Sequence, residues 1–369
     1  MKNSLFIISL MCLCQFAAAQ QNYKALNAKV DSFVMKQMKD LEIPGIAVAI
    51  IKDGKVIKKT VYGTANIEWK NKVTEHTNFQ IASCTKLLTS TLLLKSIYNK
   101  KIDLEEPLTK YLDSIPDEWK NIKIKNLISH SSGIPDFYDS NSYVPMEQIV
   151  KQLKTKPLMF APGTKEQYGQ SDFMLLTYIL EKIYKKPSIQ ILKDEVLLPL
   201  HMTDGSYDME NKLEERFMQT ELIKEKATTY YNYKGKLVSY KFLYPQYTYS
   251  AGGYFASIHD MINWATGLDK GTLFPVGFAN GLIYQSDKIG DHNAEFSKVG
   301  WALAKDGSIP YGGHSGGPGL GDIWRFPEQK ITVITLSNDG ELLPRFSRAI
   351  ASWYVPGLSP QFKIEKFDR

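Results

Sequence analysis

Apolar positions along the chain change period several times, and each change marks an element. A continuous apolar run from Leu5 to Cys14 follows Lys2 and gives way to Ala17-Ala18-Ala19 before Gln20. That order is the pattern of a secretory leader, with cleavage expected after Ala19. The run is shorter than the roughly 20 apolar residues a membrane-spanning helix needs, and no later segment approaches that length. Helical spacing then predicts an amphipathic helix from Ala25 to Asp40. Gly45 to Ile51 and Lys55 to Tyr62 predict two strands joined by a hairpin at Asp53-Gly54.

Helical periodicity governs the middle of the chain: Thr85 to Lys100, Ser171 to Lys185 behind a Ser171 cap, and Ser188 to Leu197 ahead of Pro199. Strand patterns return at Tyr230 to Tyr240 around Lys234-Gly235, at Asp322 to Phe326, and at Lys330 to Leu336. In the last of these, β-branched Ile331, Val333, Ile334 and Thr335 suit a buried strand. The expected fold class is α/β of the α+β kind, a mostly antiparallel sheet flanked by helices with a helical insert. The expected organisation is a leader over 1–19, a sheet region over 20–90 and 246–369, and an insert over 91–245. Active sites favour such a junction.

Charge and cysteine content narrow the function. The net charge of +6 includes Lys2, so 6 − 1 = +5 remains after cleavage, without long basic runs. A dedicated nucleic-acid binder clusters its Lys and Arg on one element, so nucleic acid is not an expected partner. Of the three cysteines, Cys12 and Cys14 fall in the leader and only Cys84 remains, which excludes an internal disulfide. The expected location is the periplasm or the exterior, and the oligomeric state is left open.

The chemistry concentrates in three segments. In Phe79-Gln80-Ile81-Ala82-Ser83-Cys84-Thr85-Lys86, a helix opening at Ser83 places Lys86 nearly one turn on, along the same face. A serine hydroxyl needs a neighbouring base, and a partly desolvated lysine can serve. The helix N-terminus favours an oxyanion there. Pro162-Gly163-Thr164-Lys165-Glu166-Gln167-Tyr168-Gly169-Gln170 is a turn that brings a phenol up to a helix, where it can relay a proton to a leaving group. Gly312-Gly313-His314-Ser315-Gly316-Gly317-Pro318-Gly319, shortly before a strand, allows close substrate approach and leaves N–H groups free for an oxyanion.

Together these segments resemble the serine β-lactamase and penicillin-binding-protein superfamily, in its class C-like branch of β-lactamases, D-amino-acid peptidases and esterases. Leu127 to Asp136, Lys101 to Pro107, Pro199 to Asp204 and Ser250 to Tyr254 are similar to other segments of that branch. The resemblance covers nearly the whole chain after the leader and implies a β-lactamase/transpeptidase-like fold. It implies Ser83 as the acylated nucleophile, Lys86 as its proton partner and Tyr168 as general base and acid. It also implies His314, Ser315 and Gly316 in place of the Lys-Thr-Gly segment, and an oxyanion hole from the backbone N–H groups of Ser83 and Gly317. Gln170 departs from the branch, whose second motif is usually Tyr-x-Asn. With His314 in place of the lysine, the fixed positive charge that greets a substrate carboxylate is also missing.

The expected activity is hydrolysis of an ester, an amide or a D-amino-acid peptide, small or peptidic and of a kind the cell wall supplies. A penicillin-binding D-Ala-D-Ala carboxypeptidase or a β-lactamase is the alternative enzyme, and a non-catalytic cell-wall-peptide binder the alternative of another class. Gly313-His314-Ser315-Gly316-Gly317 also fits Gly-x-Ser-x-Gly, but no histidine follows His314 to complete that triad. Gly316 to Gly321 fits no dinucleotide fingerprint, so no cofactor is expected. Cys84 is expected in the core, and His130 is expected to organise its loop. His76, His201, His259 and His292 lack the spacing of a local metal motif, so no metal is expected. The tyrosines from Tyr230 to Tyr249 are expected to pack, with one or two near Tyr249 at the cleft.

Overall fold

The computed structural model describes residues 23–366 apart from 138–143, 215–216, 242–243, 318–319, 341, 344, 361 and 363–364. The expected leader lies outside the described residues. Helix α1 (23–40) leads into β1 (Gly45–Lys52) and β2 (Lys55–Asn66), joined at Asp53 (φ 51°) and Gly54 (φ 69°). Positive φ at both turn residues matches the twist of a two-residue hairpin. The main sheet is completed by β3 (Asn71–Lys72) and by β4 (Ala302–Asp306), β5 (Ile309–Gly316), β6 (Gly321–Phe326) and β7 (Ile331–Ser337). Its order is β4-β5-β6-β7-β1-β2-β3, antiparallel throughout. The fold is a mixed one of helices and antiparallel sheet, as the hydrophobic pattern predicts.

β1 reads as a continuous apolar run because both of its faces are covered. Ile46, Val48 and Ile50 pack with Val30 and Val34 of α1 and with Phe346 and Ile350 of a C-terminal helix. Ala47, Ala49 and Ile51 face the opposite way, toward the larger core. That core is built around α2 (Thr85–Tyr98), a helix buried almost all round, together with α3 (Ser171–Tyr184) and α4 (Ile258–Lys270). Ser188–Leu192 continues as one π-helical turn, Lys193–Leu197. The Tyr230–Tyr240 pattern forms a hairpin, Thr229–Tyr233 with Lys236–Tyr240, outside the main sheet.

Three features differ from the sequence reading. Ser171 is the first residue of α3 and not its cap: the backbone N–H groups of Gln170 and Ser171 donate to Asp136 Oδ1 at 2.7 and 2.9 Å. A distant carboxylate satisfies those N–H groups, so no local side chain is needed. Helix α4 carries clear terminal signals, a Ser257 cap accepting from Asp260 N at 3.0 Å and Gly271 at φ 69°. Gly312 to Gly316 of the glycine-rich segment are strand, the last part of β5, although glycine and Pro310 disfavour strands.

Packing explains the glycines in β5. A Cβ on Gly313 would lie 2.0 Å from Ile323 O, and one on Gly316 would lie 2.2 Å from Ile81 O. Gly313→Ala is therefore expected to destabilise the fold by about 3 kcal/mol, because the backbone of β6 must move. Gly281→Ala, in helix Val276–Ile283 with open space around its Cα, is expected to stabilise by about 0.5 kcal/mol through helix propensity. Urea denaturation of the two variants checks the opposite signs.

Candidate active site

Ser83 sits where a short strand turns into a buried helix. Phe79–Gln80 pairs with Tyr254–Ala256, and Ile81 N donates to Tyr254 O at 2.9 Å. Ala82 then adopts φ 45°, and a single 3-10 turn, Ala82–Cys84, leads into α2. A non-glycine residue with positive φ costs on the order of 1 kcal/mol and persists only where the surroundings impose it. Here the carbonyl of Ile81 is pressed against Gly316 of β5, where no Cβ interferes. Ser83 is thereby held at the N-terminal end of α2, beside the end of β5.

Cys84, the next residue, points the other way. It is fully buried and its Sγ donates to His314 O at 3.2 Å. Burial pushes its thiol well above the ordinary range, so it supplies no thiolate. Lys86, one turn along, is buried to 1% exposure with Nζ donating to Ala251 O at 3.0 Å. Nζ also lies 4.9 Å from the ring centre of Tyr168 and 5.5 Å from that of Phe173, within cation–π range.

Tyr168 closes the group, its Oη donating to Ser83 Oγ at 3.1 Å while 46% of the residue remains exposed. The turn carrying it is fixed from three sides. Gly163 N donates to Ser131 O at 2.8 Å, Gln167 N donates to His130 O at 2.9 Å, and the Glu166 carboxylate accepts from Glu295 N at 2.9 Å. The Tyr168 ring stacks on Phe296 at 5.6 Å and lies 4.8 Å from the His130 ring. His130 thus organises its loop through its carbonyl and also walls the site. A Cβ on Gly169 would lie 2.6 Å from Asp136 Oδ1, so glycine there permits the Asp136 cap.

The remaining predicted residues gather on the facing side. His314 is buried beside Tyr168, with Nδ1 2.7 Å from Ser315 O and Nε2 without a hydrogen-bond partner. Burial, followed by the Lys86 charge, drives its pKa down to about 3, and the same two causes in the same order bring His130 to about 3. Both imidazoles are neutral. Ser315 Oγ donates to Asp322 Oδ1 at 2.7 Å, and Asp322 also accepts from Trp324 Nε1 and Ser347 N. Burial raises the Asp322 pKa, and it also raises that of Asp172, whose Oδ2 lies 3.4 Å from His130 Nδ1. Burial drives both members of the His130–Asp172 pair toward their uncharged forms. Gln170 immediately precedes α3 with Oε1 buried and unpartnered, Gly316 is the last residue of β5, and Gly317 lies in the turn that follows.

Motif spacing misses Asp136, Phe296, Ala251 and Asp322. Asp136 and Ala251 lie in the family-like segments Leu127 to Asp136 and Ser250 to Tyr254 and Asp322 opens a predicted strand, but spacing alone assigns none of the four a role at the site. Tyr249 is buried against Tyr207 at 4.8 Å, a packing role, whereas Tyr244 fills the space over Gly252 and Gly253.

A sheet joining both ends of the chain, a buried helix presenting Ser83 and Lys86, and a phenol over the serine together define the β-lactamase-fold serine hydrolase superfamily. The chain belongs to the Beta-lactamase family, which matches residues 30–353. It is 25% identical over 336 residues to Protein flp of Staphylococcus aureus (strain MRSA252), covering 86% of this chain and 64% of that protein. It thus spans less than two thirds of the length of the curated relatives it matches first. Among solved structures it is similar to the octameric penicillin-binding protein homologue from Pyrococcus abyssi, with a TM-score of 0.70, 24% identity and coverage of 84% of this chain and 73% of that one. It is also similar to D-amino acid amidase from Ochrobactrum anthropi SV3, with a TM-score of 0.67, 21% identity and coverage of 87% and 92%. At these identities the likeness to the two structures is one of fold.

The depressed histidines set a pH dependence. In the unfolded chain His314 titrates near 6.5, whereas in the folded chain it does so at about 3. The folded state therefore binds fewer protons between those values, and stability that is complete above about pH 6.5 is lost as pH falls. Raised carboxylates such as Asp322 act in the opposite sense, so the test is a difference between variants. Relative to His314→Gln, the wild type is expected to lose up to about 1.4 kcal/mol per pH unit between pH 6 and pH 4. Denaturant titrations of both proteins across that range measure it.

Proposed function

We propose that this protein is an exported serine hydrolase of the class C-like branch that works through an acyl-enzyme on Ser83, with an ester, an amide or a D-amino-acid peptide as substrate. The observation that carries the reading is the 3.1 Å hydrogen bond between Tyr168 Oη and Ser83 Oγ above the buried Lys86 side chain. Nucleophile and proton carrier are already within transfer distance. One member of the Tyr168–Lys86 pair enters the step deprotonated; Ser83 Oγ attacks the substrate carbonyl carbon, and its proton moves to that member of the pair. The tetrahedral oxyanion accepts from the backbone N–H groups of Ser83 and Gly317. Tyr168 returns the proton to the departing alcohol or amine, leaving Ser83 acylated. Water then attacks the ester along the same path and regenerates the serine. Export rests on the leader pattern at residues 1–19.

Neutral His314 favours substrates without a carboxylate at the position it faces. In the buried strand end no fixed cation is offered by residue 314, so an ester or amide suits the site better than a β-lactam acid. The fold likeness to a D-amino acid amidase supports the amide option.

Exposure to a fluorophosphonate is expected to add one phosphonate per chain, located on Ser83 by peptide mapping of the intact-mass product. Ser83→Ala is expected to abolish both labelling and hydrolysis of p-nitrophenyl esters and D-amino acid amides. Tyr168→Phe is expected to lower kcat by about 10²–10⁴-fold with little change in KM. Full hydrolytic activity in folded Ser83→Ala would sink the reading. A persistent penicillin adduct on Ser83 would shift it to a penicillin-binding peptidase, and a folded protein that takes neither label would shift it to a non-catalytic binder.

A further inference from the structure

Outside the active site, the fold brings together two histidines and a carboxylate that lie far apart in sequence. His76 precedes the strand that leads to Ser83, Asp204 lies in the turn after Met202, and His259 stands in the first turn of α4. Asp204 Oδ2 is 2.8 Å from His76 Nδ1 and 3.3 Å from His259 Nδ1, and one donor atom from each of the three residues falls within 4.8 Å of the others. The two imidazole rings are 4.9 Å apart. We propose that His76, Asp204 and His259 form a binding site for a zinc-class divalent transition-metal ion.

The state of His259 is the observation that points to a ligand. Its Nδ1 is shielded from solvent and has no hydrogen-bond partner, although it faces Asp204 Oδ2 and lies 3.6 Å from Asp260 Oδ1. A buried ring nitrogen that faces carboxylates without a hydrogen bond is an unmet polar group, and a metal ion shared with Asp204 satisfies it. Tetrahedral zinc with bonds of about 2.0–2.2 Å to nitrogen and oxygen keeps its ligand atoms roughly 3.3 Å apart, so sub-ångström movements suffice. Two imidazoles with one carboxylate select zinc, nickel or copper over calcium and magnesium.

The supporting shell is in place. Ser257 Oγ donates to Asp204 Oδ2 at 2.7 Å, and the N–H groups of Thr203, Asp204 and Gly205 donate to the Asp260 carboxylate at 3.0, 3.0 and 2.9 Å. His259 N donates to Glu75 O at 3.2 Å, and Glu75 Oε1 lies 3.7 Å from His76 Nε2, where a carboxylate orients a ligating imidazole. Both histidine side chains are partly exposed, which gives an ion an entry path and leaves room for water as a fourth ligand. A bound ion ties the approach to the nucleophile, the 203–205 turn and the start of α4 at one point, a structural role separate from hydrolysis.

The test uses the protein without a polyhistidine tag. Titration calorimetry with zinc chloride, and cobalt(II) absorption as a coordination readout, are expected to show one equivalent bound per chain, with tetrahedral d–d bands for cobalt. His76→Ala and His259→Ala, each shown to be folded by circular dichroism, are expected to weaken zinc binding at least about tenfold. Zinc is expected to raise the Tm of the wild type by several degrees and to leave that of the two variants unchanged. Failure of the folded wild type to bind zinc, or equal affinity in the wild type and both variants, overturns the site.

Discussion

Burial of the Lys86 side chain is the constraint around which the site is arranged. A cation taken out of water needs compensation, and here it comes from a single carbonyl, Ala251 O, and from the ring faces of Tyr168 and Phe173. No carboxylate pairs with Lys86 among the described residues, which would fix its proton in an ion pair. Burial shifts the groups packed nearby toward their uncharged forms instead. It lowers the pKa values of His130 and His314 to about 3 and raises those of Asp172 and Asp322. Lys86 is thereby the buried cation that stands one helical turn from the serine.

The geometry that makes this possible is set by the backbone. Ala82 in a left-handed conformation and Gly316 without a Cβ allow the turn before α2 to press directly against the end of β5. Ser83 and the His314 segment therefore come from different ends of the chain and still meet. Asp136 plays a similar organising part on the opposite wall. By capping α3 it holds the first residues of that helix, and with them Gln170 and the turn that carries Tyr168.

Much of this was legible in the sequence. Period and turn chemistry predict β1, β2, β6, β7, α2 and α3, because each carries its own apolar face. The strand β5 was not legible, since its glycines answer to Ile81 and Ile323, partners that only the folded chain supplies. The Ser171 cap failed for the same reason: its competitor, Asp136, is a neighbour in space. Helix α4 is a different case, because Ser257 and Gly271 are local signals that the sequence does display. The ordered motifs around Ser83, Tyr168 and His314 mark segments that the fold gathers into one cluster, but the uncharged state of the histidines there depends on burial, which a sequence does not record.

The pairing of β1 with β7 runs from Ile46 with Ser337 to Lys52 with Ile331, joining segments almost three hundred residues apart. Such a contact closes a very long loop, so the central sheet must assemble late. During synthesis the β1–β2 hairpin emerges early with only α1 available to cover it, and its partner strand arrives only near the end. A nascent chain of this kind stays incompletely folded, and exposed to aggregation and proteases, for most of its production. Once the seam closes, the sheet cannot open without parting the two ends of the chain. Durability in the finished protein and vulnerability in the growing polypeptide thus share one origin.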